Sequence, residues 1–70
     1  MTLKQTIDTL RGSRGKTIES ISQDINKSGA TVRMTLKKGN PQLKFLKEVG
    51  DALGYELVYL DPETNNKFKL

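Results

Sequence analysis

The segment from residue 17 to residue 41 reads TIESISQDINKSGATVRMTLKKGNP, and it decides the fold prediction. Ile18, Ile21 and Ile25 recur at spacings of three and four, which places them on one face of a helix. Thr17 stands directly before this helix and suits its N-cap, while Glu19 in the first turn complements the helix dipole. Asn26 follows the last isoleucine, and asparagine tolerates the left-handed conformation that ends helices.

A second helix is predicted from the N-cap residue Ser28 to Gly39. Val32 and Leu36 are four residues apart and define its buried side, together with the isoleucines of the preceding helix. The pattern therefore predicts two short helices joined by a tight turn. The residues of the second helix left to face outward are Gly29, Ala30, Arg33, Met34 and Lys37.

Two further helices are predicted around this pair. One spans Thr2 to Leu10, where Thr2 suits the N-cap, and the run Arg11 to Gly15 is expected to break it. The other spans about Gln42 to Leu53 and ends at Gly54. Its apolar side is expected to contain Leu43, Leu46, Val49, Ala52 and Leu53.

The end of the sequence has the alternation of a β-hairpin. Tyr55 to Leu60 is expected to form one strand, with Tyr55, Leu57 and Tyr59 on one face. Turn-forming residues follow, and Lys67 to Leu70 is the expected partner strand. The sequence thus predicts one domain over residues 1–70: a helical part over residues 1–54 and a hairpin over residues 55–70.

The composition excludes several kinds of site. The 70 residues contain no cysteine and no histidine, so disulfides, thiolate metal sites and imidazole-based catalysis are not available. We expect no cofactor and no metal, and an enzyme is improbable because the remaining acid–base groups do not pair in a cleft-forming scaffold. Without a membrane-spanning stretch or a signal peptide, a soluble cytoplasmic protein is expected.

Positive charge is concentrated in the middle of the chain. Residues 11 to 47 contain nine basic and two acidic residues, whereas the remainder contains three basic and six acidic ones. A basic centre with acidic flanks fits binding to a polyanion, because phosphate neutralisation drives nucleic-acid affinity. A solvated lysine-rich surface is an equally good interpretation of the charge alone.

The stretch RGKTIESISQDINKSGATVRMTLKKGNPQLKFLKEVGDALGYEL resembles the Cro/phage-repressor (Xre-type) helix-turn-helix family, especially its antitoxin-like and prophage regulator branch. Thr17 stands at the family's capping position, and Ser28 opens the second helix. Gly39-Asn40-Pro41 is similar to the signature after that helix. The resemblance implies a mainly α fold, a four-helix lambda-repressor/Cro-like domain, with a small C-terminal β-hairpin. It also implies a transcriptional regulator that binds double-stranded DNA.

The exposed face of the second helix is the expected reading surface. Arg33 is the best candidate for a base contact, since arginine to guanine is the commonest specific contact, although a phosphate contact stays open. Met34 either contacts a thymine methyl or covers the edge of the core. The residues expected to read bases are Gly29, Ala30, Arg33 and Met34. Those expected to contact phosphates are Lys16, Thr17, Lys27, Ser28, Thr31, Lys37, Lys38 and Asn40.

Two interpretations of the hairpin remain open. It either caps the core of a monomer or pairs across a two-fold axis to build a homodimer, which would present two recognition helices to a palindromic operator. The expected dimerisation residues are Tyr55, Leu57, Val58, Tyr59, Leu60 and Phe68. The alternative function is that of an antitoxin-like protein, which binds a toxin partner and autoregulates its operon.

Overall fold

The computed structural model describes all 70 residues and contains four helices and one two-stranded antiparallel sheet. The elements follow one another along the chain as α1 (Leu3–Arg14), α2 (Ile18–Asp24), α3 (Gly29–Lys38), α4 (Leu43–Leu53), β1 (Val58–Leu60) and β2 (Lys67–Lys69). The prediction of a mainly helical chain that ends in a small hairpin is therefore confirmed. None of the four helices is both long and apolar enough to cross a membrane.

The first three helices begin at the predicted caps. Thr2, Thr17 and Ser28 are the N-caps, and the hydroxyl of each accepts a hydrogen bond of 3.1 Å from the amide three residues later. Each such cap stabilises a helix by about 1 kcal/mol. The turn between α2 and α3 contains Asn26 at a φ of +60°, as the sequence predicts. Local side-chain chemistry thus sets where these helices start and how the tight turn is made.

Helix α1 is longer than predicted. We expected it to end at Leu10, but it continues to Arg14. Gly12 costs the helix about 1 kcal/mol relative to alanine, which does not end it. The helix stops only at Gly15, whose φ of +65° turns the chain.

The core contains nine buried apolar side chains from all four helices and the residue that ends α2. They are Ile7, Ile18, Ile21, Ile25, Val32, Leu36, Phe45, Val49 and Leu53. Ser22 is the one buried polar side chain, and its hydroxyl donates to the Ile18 carbonyl oxygen at 2.6 Å. No buried polar side-chain atom lacks a partner, so the predicted faces of α2 and α3 pack without a desolvation penalty.

The apolar side of α4 is as predicted for Val49 and Leu53, which are buried, and for Leu46 and Ala52, which pack against the core, but not for its first turn. Leu43, expected in the core, is 47% exposed, whereas Phe45 is 7% exposed and packs with Val49 and Leu53. Two residues turn an α-helix by about 200°, so Leu43 and Phe45 point to nearly opposite sides. Burying the larger phenylalanine removes more apolar surface from water, and the helix adopts that orientation.

Strand β1 begins three residues later than predicted. The Tyr55 amide donates to the Gly50 carbonyl oxygen at 2.8 Å and so completes the end of α4 rather than a sheet. The Tyr55 ring is half-buried against the core and lies 4.3 Å from the Arg14 guanidinium. The expectation that Tyr55 and Leu57 share a strand face with Tyr59 is therefore wrong, because both precede the strand and are half-buried while Tyr59 is exposed.

Most of the hairpin is exposed: of its six strand residues, only Val58 is half-buried. No Cα atom of β1 or β2 lies within 8 Å of a helix Cα atom. A hydrogen bond joins the residue after β2 to α4: the Leu70 carbonyl oxygen accepts from Lys47 Nζ at 2.8 Å. The molecule measures 39 × 23 × 21 Å. The sheet pairs Tyr59 with Phe68 directly across the two strands, so one of its faces is aromatic and unpacked.

A matched pair of variants tests which residue in the first turn of α4 is buried in the core. Phe45→Ala removes a buried aromatic ring and is expected to lower the free energy of unfolding by about 3–5 kcal/mol. Leu43→Ala removes an exposed side chain and should cost less than about 1 kcal/mol. Urea unfolding followed by circular dichroism measures both. Equal losses, or a larger loss for Leu43→Ala, would contradict the observed orientation.

Candidate nucleic-acid interface

Helix α3 is divided into a buried side and an exposed side. Val32 is 0% exposed and Leu36 is 2% exposed, so these two side chains fix how the helix is rotated about its axis. Residues offset from them by about 100–200° around the helix then face solvent. The exposed residues are Ala30, Thr31, Arg33, Met34, Lys37 and Lys38. The predicted outward face is confirmed for all its members except Gly29, which is half-buried.

The start of α3 is held by hydroxyl groups. Ser28 Oγ accepts from the Thr31 amide and donates to Thr31 Oγ1 at 2.8 Å. One turn later, Thr35 Oγ1 donates to the Thr31 carbonyl oxygen at 2.8 Å. The Ser28 and Thr31 hydroxyls thus bond to each other, and Ser28 also accepts from the Thr31 amide, so Ser28 is the more engaged of these two predicted phosphate ligands.

An ion pair joins the exposed side of α3 to the first turn of α2. Arg33 Nη2 donates to Glu19 Oε1, while Nε and Nη1 of the guanidinium have no partner in the chain. The guanidinium lies over Gly29, because a Cβ atom placed there would be 3.1 Å from Arg33 Nη1. Gly29 is half-buried for this reason. Arg33, the predicted base reader, is therefore oriented by Glu19 of α2 and lies against Gly29, which has no side chain.

The ion pair changes the titration of its acid. The hydrogen bond from Arg33 holds the pKa of the Glu19 carboxyl below its ordinary value of 4.5. The hydrogen bond from Lys4, with a further one from Arg11, likewise lowers the pKa of Asp8 below 3.8. Both carboxylates are ionised at neutral pH, so the positive groups beside them are partly neutralised there.

Two polar grooves flank α3. On the side of the α2–α3 turn, a groove is bounded by Lys27, Thr31, Asn40 and Lys44, with Glu48 at its edge. Neither lysine forms an ion pair, and with two lysines and one glutamate among its lining residues the groove has a net positive charge. The same groove contains the beginning of α4, where Gln42 provides no side-chain cap for the free amides.

The second groove lies between α1, α2 and α3. Its cationic members are Lys4, Arg11, Arg33 and Lys37, and its acidic members are Asp8 and Glu19. Three of the four cations are paired with those acids, whereas Lys37 is not. Of the four, Lys37 therefore retains the most freedom to bind an external anion.

The other predicted phosphate ligands differ in how free they are. Lys16 pairs with Asp24 at 3.0 Å, at the far end of α2 from Glu19. The Thr17 hydroxyl is occupied as the N-cap of α2. Lys38 and Asn40 are exposed, and Lys38 forms no ion pair. The structure thus brings Lys27, Thr31 and Asn40 together beside α3 and leaves Lys16 engaged elsewhere.

Sequence reasoning missed two members of this surface. Lys44 was not singled out, although its position just after Asn40-Pro41 at the start of a helix placed it near that turn. Glu19 was interpreted only as a partner of the helix dipole. Its pairing with a residue fourteen positions later depends on how α2 and α3 approach each other, which the spacing alone does not specify.

The predicted dimerisation residues fall into two groups. Tyr59, Leu60 and Phe68 are 69%, 54% and 58% exposed; Tyr59 and Phe68 share one face of the hairpin, and Leu60 lies on the other. Tyr55, Leu57 and Val58 are half-buried. The exposed surface on the hairpin is the part that remains available to another molecule.

Comparison of the chain with protein-family models, with curated proteins and with solved structures gave no match. The resemblance to the Cro/phage-repressor family therefore stays a prediction from the residues quoted above.

The ion pair between α2 and α3 predicts a titration that can be followed directly. The Glu19 carboxyl should titrate below pH 4.5, and in Arg33→Ala its midpoint should return toward 4.5. Because the pKa is lowered in the folded state, the stabilisation is present above pH 4.5 and disappears as the pH falls through the lowered value. Carboxyl chemical shifts in NMR spectra measure the midpoint. Lys16→Ala is the control, and an equal effect from it would contradict the pairing.

Proposed function

We propose that this chain is a sequence-specific regulator of transcription, a repressor rather than an activator, that binds double-stranded DNA with α2 and α3 as a helix-turn-helix unit of the Cro/phage-repressor type. The observation that carries the proposal is the two-sided nature of α3. Val32 and Leu36 anchor one side in the core, while the opposite side presents Ala30, Arg33, Met34 and Lys37 to solvent. Such a regulator acts in the cytoplasm.

The dimensions of α3 and its surroundings suit a major groove. The groove is about 12 Å wide and admits one α-helix, with the phosphates of the two strands on either side. Unpaired cations flank α3 in the same way: Lys27 and Lys44 lie in one groove and Lys37 in the other. Contacts of this kind position a protein on the duplex without reading its sequence.

Base recognition falls on a few side chains of α3. Arg33 retains Nε and Nη1 as free donors, and a guanidinium suits the two acceptors that guanine presents in the major groove. Ala30 and Met34 are exposed apolar groups that match a thymine methyl. This set is small, and a second copy of α3 would double it.

The hairpin supports a homodimer as the working form. A two-stranded sheet alone is marginally stable in water, and five of the six strand residues are exposed here. Its aromatic pair, Tyr59 and Phe68, is exposed, and both strands have an open edge. Pairing with the hairpin of a second copy would cover these groups. The dimer would then present two recognition helices to half-sites about 34 Å apart in a palindromic operator.

The proposal is tested by selecting bound duplexes from a random pool while light scattering measures the mass of the free protein. We expect an enriched inverted repeat and the mass of a dimer. A monomeric mass would contradict the homodimer, and the exposed hairpin would then favour the antitoxin-like alternative, in which a protein partner covers it. The absence of any enriched sequence would overturn the DNA-binding proposal.

Removing the candidate base reader should weaken specific binding alone. Arg33→Ala is expected to reduce affinity for the selected site by about 1–3 kcal/mol and to relax the preference for one base. The side chain is exposed, so thermal unfolding should change little. Titrations of fluorescent duplexes measure the affinity for the selected site and the preference for one base. Unchanged discrimination between the selected site and a random duplex would show that Arg33 is not a reader.

Removing an unpaired flanking cation should weaken binding to every sequence. Lys37→Ala is expected to lower affinity for selected and random duplexes alike, and to reduce the slope of log affinity against log salt by about 0.9, the value for one phosphate. Lys67→Ala is the matched control, since it removes the same charge from the exposed strand β2. An equal change in the control would assign the effect to net charge, not to a contact beside α3.

A further inference from the structure

The pair formed by Glu19 and Arg33 is the one ion pair on the exposed side of α3. Lys37 and Lys38 lie on the same helix, yet neither has an acidic partner. Both members of the pair are more than half exposed, with side chains 61% and 53% accessible. An exposed ion pair contributes little to folding stability. Its position on the candidate reading surface therefore points to a role other than stabilising the fold.

The guanidinium is oriented by its hydrogen bond to a carboxylate, since Glu19 Oε1 accepts from Nη2. Gly29 lies beside this pair: a Cβ atom there would be 3.1 Å from Arg33 Nη1 and 4.0 Å from Glu19 Oε1. A side chain at this position would crowd the ion pair, and glycine does not. The hydrogen bond restricts the long arginine side chain before any ligand binds.

The restricted guanidinium still has donors to offer. Only Nη2 is used by Glu19, so Nη1 and Nε remain free, and Nη2 carries a second proton. Guanine accepts two parallel hydrogen bonds at O6 and N7, which an oriented guanidinium edge can supply. Thymine, cytosine and adenine do not present two such acceptors in the major groove. A guanidinium held in one orientation thus discriminates better than a mobile one.

We propose that Glu19 is a specificity-determining residue that positions Arg33 for a guanine in the operator. This inference rests on the proposed DNA-binding function. Glu19 does not touch the base, and it acts through the hydrogen bond to Nη2. Its negative charge adds the same repulsion toward every duplex, so it does not change the ratio between operator and random DNA. The hydrogen bond to Arg33 changes that ratio, because it holds the guanidinium in the orientation that the two guanine acceptors require.

The chain offers a matched control in Asp24. Glu19→Gln and Asp24→Asn each remove one negative charge from α2, but Asp24 pairs with Lys16 at the opposite end of the helix. Glu19→Asp keeps the charge and shortens the side chain by one methylene. The three variants together separate charge from positioning. Thermal unfolding of each confirms that the fold is retained.

The experiment measures the affinity of each protein for the selected operator and for the same operator with the guanine changed to adenine. In the wild-type chain we expect a preference of about 5–150-fold for guanine, the range of one good bidentate contact. Asp24→Asn should raise both affinities by the same factor and leave this ratio unchanged. Glu19→Gln should raise the affinity for the changed site and lower the ratio at least about threefold. Glu19→Asp should lower the ratio without the general rise in affinity.

The outcomes separate this inference from the function on which it rests. If the wild-type chain selects an operator but Glu19→Gln leaves the ratio unchanged, the inference is wrong and the DNA-binding function stands. A ratio that increases in Glu19→Gln would also overturn it and would show that Glu19 restrains Arg33 from the base. If Arg33→Ala leaves the ratio unchanged, Arg33 does not read the guanine and the inference is also overturned. If no operator is selected, the proposed function fails and the inference fails with it.

Discussion

The burial of Val32 and Leu36 is the constraint on which the rest of the molecule depends. With no cysteine and no histidine, a chain of 70 residues relies on apolar packing for its stability, and these two side chains are among its least accessible. They also fix the rotation of α3. A shift of one residue would turn the helix by about 100° and bring Arg33 toward the core, where an unpaired charge is strongly unfavourable. The composition of the exposed surface thus follows from the packing beneath it.

Much of the fold could be predicted because it depends on neighbouring residues. The caps at Thr2, Thr17 and Ser28 and the turn at Asn26 require only the side chain and the backbone a few positions away. The first turn of α4 could not be predicted in the same way. Leu43 and Phe45 are both apolar, and which of them is buried depends on the space that the other helices leave. The predicted start of β1 was wrong for a similar reason, because the Tyr55 amide donates to the Gly50 carbonyl oxygen at the end of α4.

In the candidate site, too, the features that depend on local spacing could be predicted and those that depend on tertiary packing could not. The exposed face of α3 followed from the spacing of Val32 and Leu36, and the structure confirms it apart from Gly29. The interaction of Glu19 with Arg33 did not follow, because it crosses between helices whose angle of approach is a tertiary property. Two errors involve glycine and have different causes. The run Arg11 to Gly15 was expected to break α1, but the helix continues through Gly12 to Arg14. Gly29 was expected to face outward, but it is half-buried beside the Arg33 guanidinium.

The separation of the hairpin from the helices has an evolutionary consequence. Substitutions that lie more than about 7–10 Å apart and share no partners have additive effects on free energy. No Cα atom of strands β1 and β2 lies within 8 Å of α3, and no side-chain hydrogen bond or ion pair joins the strands to that helix. Changes to the outer surface of the hairpin and changes to the exposed side of α3 can therefore accumulate independently. The surface of the hairpin and the exposed side of α3 are two features that selection can alter one at a time.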